Sequence, residues 1–327
     1  MKILYVCFGF LVGSLIIACS KLPFGSKDTR IDEKWGRISA LAINAAGEIF
    51  AGTEKGYLFR SSDNGEHWNR LPIEKYGINA IAFNARGHIF VASEDEGLFR
   101  STDNGQSFQA INNGDFPPTT FGPHVFAIAA DGTLFCGTGY GVYRSKDNGD
   151  SWHNVLPDVG ILTLVINSDG VIFAGEFPIG TRIFRSDDSG NTWTQAYNLP
   201  EENFLRAMLI HPNGDLYIGI ESYDNQGNGG KVMRSSDGGA TWETVWQAER
   251  PVWSMAVTPA GILWAGTQSG IYHSSDGGAS WQKSGLDGEW IRELISTKSG
   301  EIWAATDSRR LFKSRMNGSG WEAVRFP

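Results

Sequence analysis

The sequence predicts an all-β fold, a seven-bladed β-propeller of four-stranded antiparallel blades, and three observations carry that reading. The phrase Ser-x-Asp-x-Gly-x-x-Trp runs through the chain at Ser61–Trp68, Ser101–Phe108, Ser145–Trp152, Ser186–Trp193, Ser235–Trp242, Ser274–Trp281 and, decayed, Ser314–Trp321. Its third residue falls at Asp63, Asp103, Asp147, Asp188, Asp237, Asp276 and Met316, in steps of 40, 44, 41, 49, 39 and 40. A period of about 40–45 residues suits one propeller blade of four short strands. The runs between phrases are short, apolar and bounded by Gly, Asn, Asp and Ser, which marks strands. No stretch after the first 18 residues carries a convincing amphipathic helical pattern.

Each unit repeats one grammar. An apolar run such as Ile38–Ile43 forms the first strand, and a turn glycine ends it, at Gly47, Gly87, Gly132, Gly170, Gly214, Gly261 and Gly300. The second strand carries an aromatic three residues later: Phe50, Phe90, Phe135, Phe173, Tyr217, Trp264 and Trp303. The third strand carries Phe59, Phe99, Tyr143, Phe184, Met233, Tyr272 and Phe312 at one matched place. The Ser-x-Asp turn then leads into a fourth, outermost strand. Large side chains repeated at one place in every unit fit sheets packed face to face around an axis, each worth roughly 1.5–3 kcal/mol when buried. Radial closure also protects most strand edges.

The phrase resembles the Asp-box, or BNR repeat, shared by sialidases, xyloglucanase-type glycosidases, sortilin-type receptors and the photosystem II stability and assembly-factor family. The resemblance spans residues 35–327 and implies the propeller, with Asp-box turns between third and fourth strands. It implies little about function, because these families do different things on one scaffold. Six equivalent carboxylates, Asp63, Asp103, Asp147, Asp188, Asp237 and Asp276, are expected to bind N–H groups of their own turns, with Gly supplying the positive φ. Their repetition argues against catalytic acids or calcium ligands. Met316 breaks the pattern in the last unit, where atypical repeats are expected. A basic residue precedes each motif serine: Arg60, Arg100, Arg144, Arg185, Arg234, His273 and Lys313. Such a ring invites a polyanion reading, but a repeat in every blade favours scaffold, each stem packed and each head paired nearby.

The amino terminus is of another kind. Lys2 is followed by an apolar run from Ile3 to Ala18 that is short for a membrane span. Its end, Ile16-Ile17-Ala18-Cys19, resembles a bacterial lipobox. That resemblance implies a signal peptide over 1–18, cleavage before Cys19, and acylation of Cys19 as a membrane anchor. Ser20 after the cysteine implies sorting to the outer membrane, periplasmic or surface-exposed. Residues 19–34 then read as a tether and 35–327 as the propeller. Without Lys2 the balance is 27 basic against 36 acidic side chains, or −9, which speaks against nonspecific nucleic-acid binding. Of three cysteines only Cys136 stays free in the mature chain, so no internal disulfide forms.

Function is expected where the blades differ, in loops on the rigid frame. Loops leading to the first strands bring Arg37, Tyr76, His124, Arg206, Arg250, Trp253, Trp290 and Arg292, with Glu293 beside it, to one mouth. Loops joining second to third strands add Glu54, Glu94, Glu221 and Asp307, with an outsized loop Glu221–Lys231 in unit 5 that carries Tyr223. Tyr, Trp and Arg are enriched at binding hot spots. The expected site is Arg37, Tyr76, His124, Arg206, Glu221, Tyr223, Arg250, Trp253, Trp290 and Arg292, binding an envelope protein or a glycan without chemistry. The bland alternative is aromatics that plug the channel beside solvated charges.

The enzyme alternative is a glycoside hydrolase. A sialidase-like site would use Arg37, Arg206 and Arg292, which enter at comparable positions. A two-carboxylate site would draw on Glu54, Glu94 and Asp307. No Tyr–Glu nucleophile pairing is evident, and six histidines show no ligand spacing, so neither metal nor cofactor is expected. Even blade lengths without a catalytic set resemble the assembly-factor type, which implies a scaffold role. Each unit contains its own four strands, so no strand exchange between the chain ends is expected.

Overall fold

The computed structural model describes residues 29–75, 77–116, 122–177, 182–200, 203–224, 227–314 and 320–327. Seven sheets of four consecutive antiparallel strands form the blades, and the described residues contain no helix. The first strands, Ile38–Ile43, Ile78–Phe83, Pro123–Ile128, Ile161–Ile166, Asn203–Ile210, Val252–Val257 and Ile291–Ser296, lie innermost. Each neighbours the next, and Ile291–Ser296 returns to Ile38–Ile43. The fold is the seven-bladed propeller that the repeat predicts.

The repeated aromatics are the mortar. Phe50, Phe90, Phe135, Phe173, Tyr217, Trp264 and Trp303 are each at most 2% exposed. Each packs forward into the following blade, as Phe50 of blade 1 does against Ile78, Ile89 and Phe99 of blade 2. Close approach of the blades has a second requirement. A Cβ at Gly52 would stand 2.4 Å from Ile78, and one at Gly175 would stand 2.3 Å from Leu205. The second strand must therefore be nearly bare where the next inner strand leans on it.

The Ser-x-Asp turn is a closed hydrogen-bond unit. Ser61 Oγ donates to Asp63 Oδ1 (2.9 Å) and accepts from the Gly65 N–H (2.8 Å), while Asp63 Oδ1 accepts from the His67 N–H (2.9 Å). The same triple recurs at Asp103, Asp147, Asp188, Asp237 and Asp276. Two consecutive residues turn left-handed, not glycine alone: Asn64 at φ 56° and Gly65 at 87°. The preceding position is Asn, Asn, Asn, Ser, Gly and Gly in blades 1–6, residue types that tolerate this region. Hydrogen bonds from the residue four positions on hold the pKa of Asp63, Asp103, Asp188, Asp237 and Asp276 down to about 2. The carboxylates are engaged by hydrogen bonds within their own turns.

The cationic ring is scaffold as well, with a specific task. Arg60 donates to the Asn104 carbonyl (3.1 Å), Arg100 to Asn148 (2.6 Å), Arg144 to Ser189 (2.7 Å) and Arg185 to Gly238 (2.8 Å). In each case the acceptor is the first left-handed residue of the next blade's turn. In blade 5 Arg234 turns instead to Asp215 (2.8 Å), and the Tyr217 hydroxyl takes the Gly277 carbonyl (2.9 Å). His273 stacks on Trp264. Lys313 of blade 7 donates to Asn64 of blade 1 (3.0 Å) and so carries the pattern across the closure.

Closure is made by side chains and one backbone bond. Blade 7 uses only its own strands, as expected. Ile31, inside the stretch read as a tether, is 2% exposed, and its N–H donates to the Arg309 carbonyl (2.7 Å). Ile31 packs in one cluster with Ile38, Phe59, Trp303, Leu311 and Phe326, flanked by Trp35 and Trp68. Phe326 lies 4.8 Å from Phe59 and 4.9 Å from Trp68 between ring centroids. Trp35 packs edge-on against Tyr57 and Phe59 beside this cluster.

Closure and turn each make a measurable difference to stability. Phe326→Ala should cost about 3 kcal/mol by leaving a cavity at the closure, read as a lower denaturant midpoint with unchanged slope. The turn aspartates have folded values below the unfolded 3.8, so their stabilisation is whole above that value and is lost as pH falls through about 2.

Candidate functional site

A bulge in every inner strand builds the channel. The pairing of first with second strand slips once in each blade: Ile38/Ala40, Ile78/Ala80, Pro123/Val125, Ile161/Thr163, Leu205/Ala207, Val252/Ser254 and Ile291/Glu293. The extra residues are Ser39, Asn79, His124, Leu162, Arg206, Trp253 and Arg292. Bulges re-aim side chains, and all seven line one of two cavities on the axis. One cavity of about 330 Å³ is bounded by Arg37, Glu54, Phe177, Trp253 and Arg292 among others. The second, about 390 Å³, reaches Asn79, His124 and Phe126. Leu162, Arg206 and Glu293 belong to both.

Charge at the mouth is closed on itself. Arg37 Nε donates to Glu54 (2.7 Å) and its Nη1 to Asp307 Oδ1 (2.7 Å), the atom that Arg292 also reaches through Nε (3.0 Å) and Nη2 (2.7 Å). Burial raises the Asp307 carboxyl, but Arg292 and Arg37 outweigh it and hold it below the usual range. Arg206 grips the buried Glu221 through Nε (2.7 Å) and Nη2, and the Tyr223 hydroxyl donates to Glu221 (2.7 Å). Three arginines thus meet three carboxylates. One terminal nitrogen of each arginine keeps no partner among the described residues.

The aromatics stand under the arginines. Arg292 lies 3.8 Å over Trp290 and 5.4 Å over Trp253, and Arg206 lies 4.5 Å over Trp253. The two indoles are 5.3 Å apart, and neither Nε1 has a partner among the described residues. These are cation–π contacts.

The expected site is largely assembled, with corrections. Arg206, Trp253, Arg292 and His124 occupy equivalent bulges. Arg37 does not enter at their position; it lies two residues before its own blade's bulge, at the place of Trp290 in blade 7. Half-buried His124 faces the second cavity, 6.3 Å from Phe177, and burial lowers its pKa. The expected loop Glu221–Lys231 is no loop at its base, because strands Leu216–Asp224 and Gly227–Ser235 continue pairing to its tip. Tyr223, 46% exposed, rides on that extension against Phe204. Arg250 is exposed and lines neither cavity. Glu94 is exposed beside Gly77, whereas Glu54 and Asp307 converge on Arg37. Tyr76 and Cys19 lie outside the described residues.

One cavity-lining group missing from the expected set is Glu293. It follows the bulge of blade 7, where the other blades carry Ala40, Ala80, Val125, Thr163, Ala207 and Ser254. Half-buried on the channel wall, it has no hydrogen-bond partner among the described residues. Burial pushes its carboxyl up to about 8, against the lowering pull of Arg292. Aligning the units one residue past the bulge exposes it as the one carboxyl in a ring of small side chains.

No protein-family model matches the chain, and no curated protein matches it in sequence. Solved structures do match, and β-propellers are among them. The GH74 xyloglucanase from Xanthomonas campestris aligns with TM-score 0.72 and 18% identity, over 88% of this chain and 53% of that one. A structure described as YCF48 bound to D1 peptide aligns with TM-score 0.69 and 17% identity, over 87% and 94%. The extracellular domain of the putative one component system BT4673 from B. thetaiotaomicron aligns with TM-score 0.69 and 18% identity, over 88% and 40%. The chain spans about half the length of the xyloglucanase it matches. At these identities the likeness is one of fold.

Glu293 leaves a thermodynamic signature. Its folded value lies above the ordinary 4.5, so the folded protein holds a proton that the unfolded chain releases. Stability should therefore decline as pH rises from about 4.5 to about 8, by the slope of one proton, and level off above. Subtracting the stability–pH curve of Glu293→Gln from that of the wild type isolates this slope.

Proposed function

We propose that the protein is a recognition scaffold, lipid-anchored through Cys19 in a bacterial cell envelope, whose propeller mouth holds an envelope protein or a glycan without chemistry. The observation that carries this reading is the convergence of Arg37, Arg206 and Arg292 on one cavity, each positioned by a carboxylate and each with a donor left over. Guanidinium groups fixed this way lose little freedom on binding. The acidic chain speaks against nucleic acid as the partner. The single-propeller YCF48 in complex with a peptide is a precedent of fold alone.

One observation favours a glycoside hydrolase as second reading. Glu54 and Glu293 line the same cavity, and a carboxyl near 8 is protonated at neutral pH, as a general acid must be. Against it, Glu54 is spent on Arg37, Asp307 on Arg37 and Arg292, and Glu94 stands apart.

Full-length protein immobilised in detergent separates the two readings. With an envelope extract, the Arg206→Ala, Arg292→Ala double variant should lose retention of bound species by at least about tenfold relative to wild type. No reducing sugar should appear from a panel of polysaccharides and sialosides. Sugar release that vanishes in Glu293→Gln would establish the hydrolase, and retention indifferent to both arginines would remove the mouth as the site.

A further inference from the structure

Glu293 is the feature of the channel that packing does not explain. Six blades fill its place with Ala, Val, Thr or Ser, whereas blade 7 puts a carboxyl where two cavities meet. A half-buried carboxyl without a partner among the described residues is costly. The charged and titratable groups around it do not supply a counter-ion. Arg292, its chain neighbour, and Arg37 are committed to Asp307 and Glu54, and Arg206 is committed to Glu221. His124, lining the second cavity, has its pKa lowered by burial. With three cations against three anions, the cavity has no net charge with which to ionise Glu293 or to attract an anion.

What the cavity does offer is hydrogen-bond donors. Arg37 Nη2, Arg206 Nη1 and Arg292 Nη1 have no acceptor among the described residues. The indole faces that a sugar ring would stack on already carry Arg206 and Arg292. Unspent donors beside indoles already covered by guanidinium groups suit a ligand rich in uncharged acceptors. An extended peptide main chain presents such carbonyls at about 3.3 Å per residue. We propose that Glu293, standing unpartnered where the two cavities meet, donates its carboxyl hydrogen to a main-chain carbonyl of a peptide seated in the mouth, and thereby sets the specificity of this site. The assignment rests on the reading of the mouth as a binding site. No bond is made or broken, and ionisation of Glu293 turns the donor into an acceptor that repels the carbonyl.

The test uses an array of acetylated, amidated decapeptides of varied sequence, a parallel oligosaccharide array, and the full-length protein in detergent. Wild type should retain a subset of peptides at about pH 7 and bind them about tenfold more weakly at about pH 9, as the neutral fraction falls. Glu293→Ala should be weak at both values. Glu293→Gln, which keeps an N–H donor but does not titrate, should restore most of the binding lost in the alanine variant and remove the pH dependence. Peptide binding that is equal at both pH values, or undiminished by Glu293→Ala, overturns the role of Glu293 while leaving the mouth as a site. Retention of oligosaccharides and no peptides overturns the peptide occupant. If wild type retains neither, or retention ignores Arg206→Ala, the reading of the mouth falls and this assignment with it.

Discussion

At five junctions a bond from a cation in one blade to a left-handed carbonyl in the next ties neighbouring blades together. It explains why the Ser-x-Asp turn and the preceding basic residue travel as a pair. The aspartate holds the turn in a conformation that aims a carbonyl sideways, and the cation of the previous blade takes it. Neither half works alone, because a relaxed turn would offer its carbonyl to water. Where Arg234 is diverted to Asp215, the Tyr217 hydroxyl takes over, so the acceptor is still met. Lys313 repeats the contact across the seam, which has no shared strand.

Such a frame leaves the other face free to differ. By the alternation of antiparallel strands, Ser-x-Asp turns emerge on one face and the channel mouth opens on the other. On the mouth face the equivalent bulge residues are Ser, Asn, His, Leu, Arg, Trp and Arg, with no common chemistry. Arg206, Trp253 and Arg292 gather in blades 5–7, with His124 apart in blade 3, so the site is one-sided although the ring is regular. Its ionic contacts bring charges of both signs to balance, which fixes the guanidinium planes without building a strong field.

Much of this was legible in the sequence, and the boundary is physical. The blade count, the strand order and the buried aromatics follow from a repeat that every unit must satisfy to pack on its neighbour. The cations were readable as scaffold, but not their acceptors, since Arg60 and Asn104 meet only when two blades are side by side. The bulge has no residue signature. Reading Arg37, Arg206 and Arg292 as equivalent therefore failed by two positions, and Glu293, though placed at the mouth by its segment, gave no sign of lining both cavities one residue past a slip in register. Ile31 was obscured by its polar surroundings in sequence, and only the folded seam shows it buried. Arg250 looked like its neighbours in composition, yet it lies just before the inner strand and points to solvent.

The central claim is that recognition belongs to the unlike residues at the channel mouth and stability to the like ones on the opposite face. Hydrogen exchange of the full-length protein, alone and with the species it retains from an envelope extract, tests it most directly. Added protection should appear in the segments leading into Ile38–Ile43, Asn203–Ile210, Val252–Val257 and Ile291–Ser296, while the Ser-x-Asp turns exchange as before. Protection centred on those turns, with the mouth unchanged, would contradict the account.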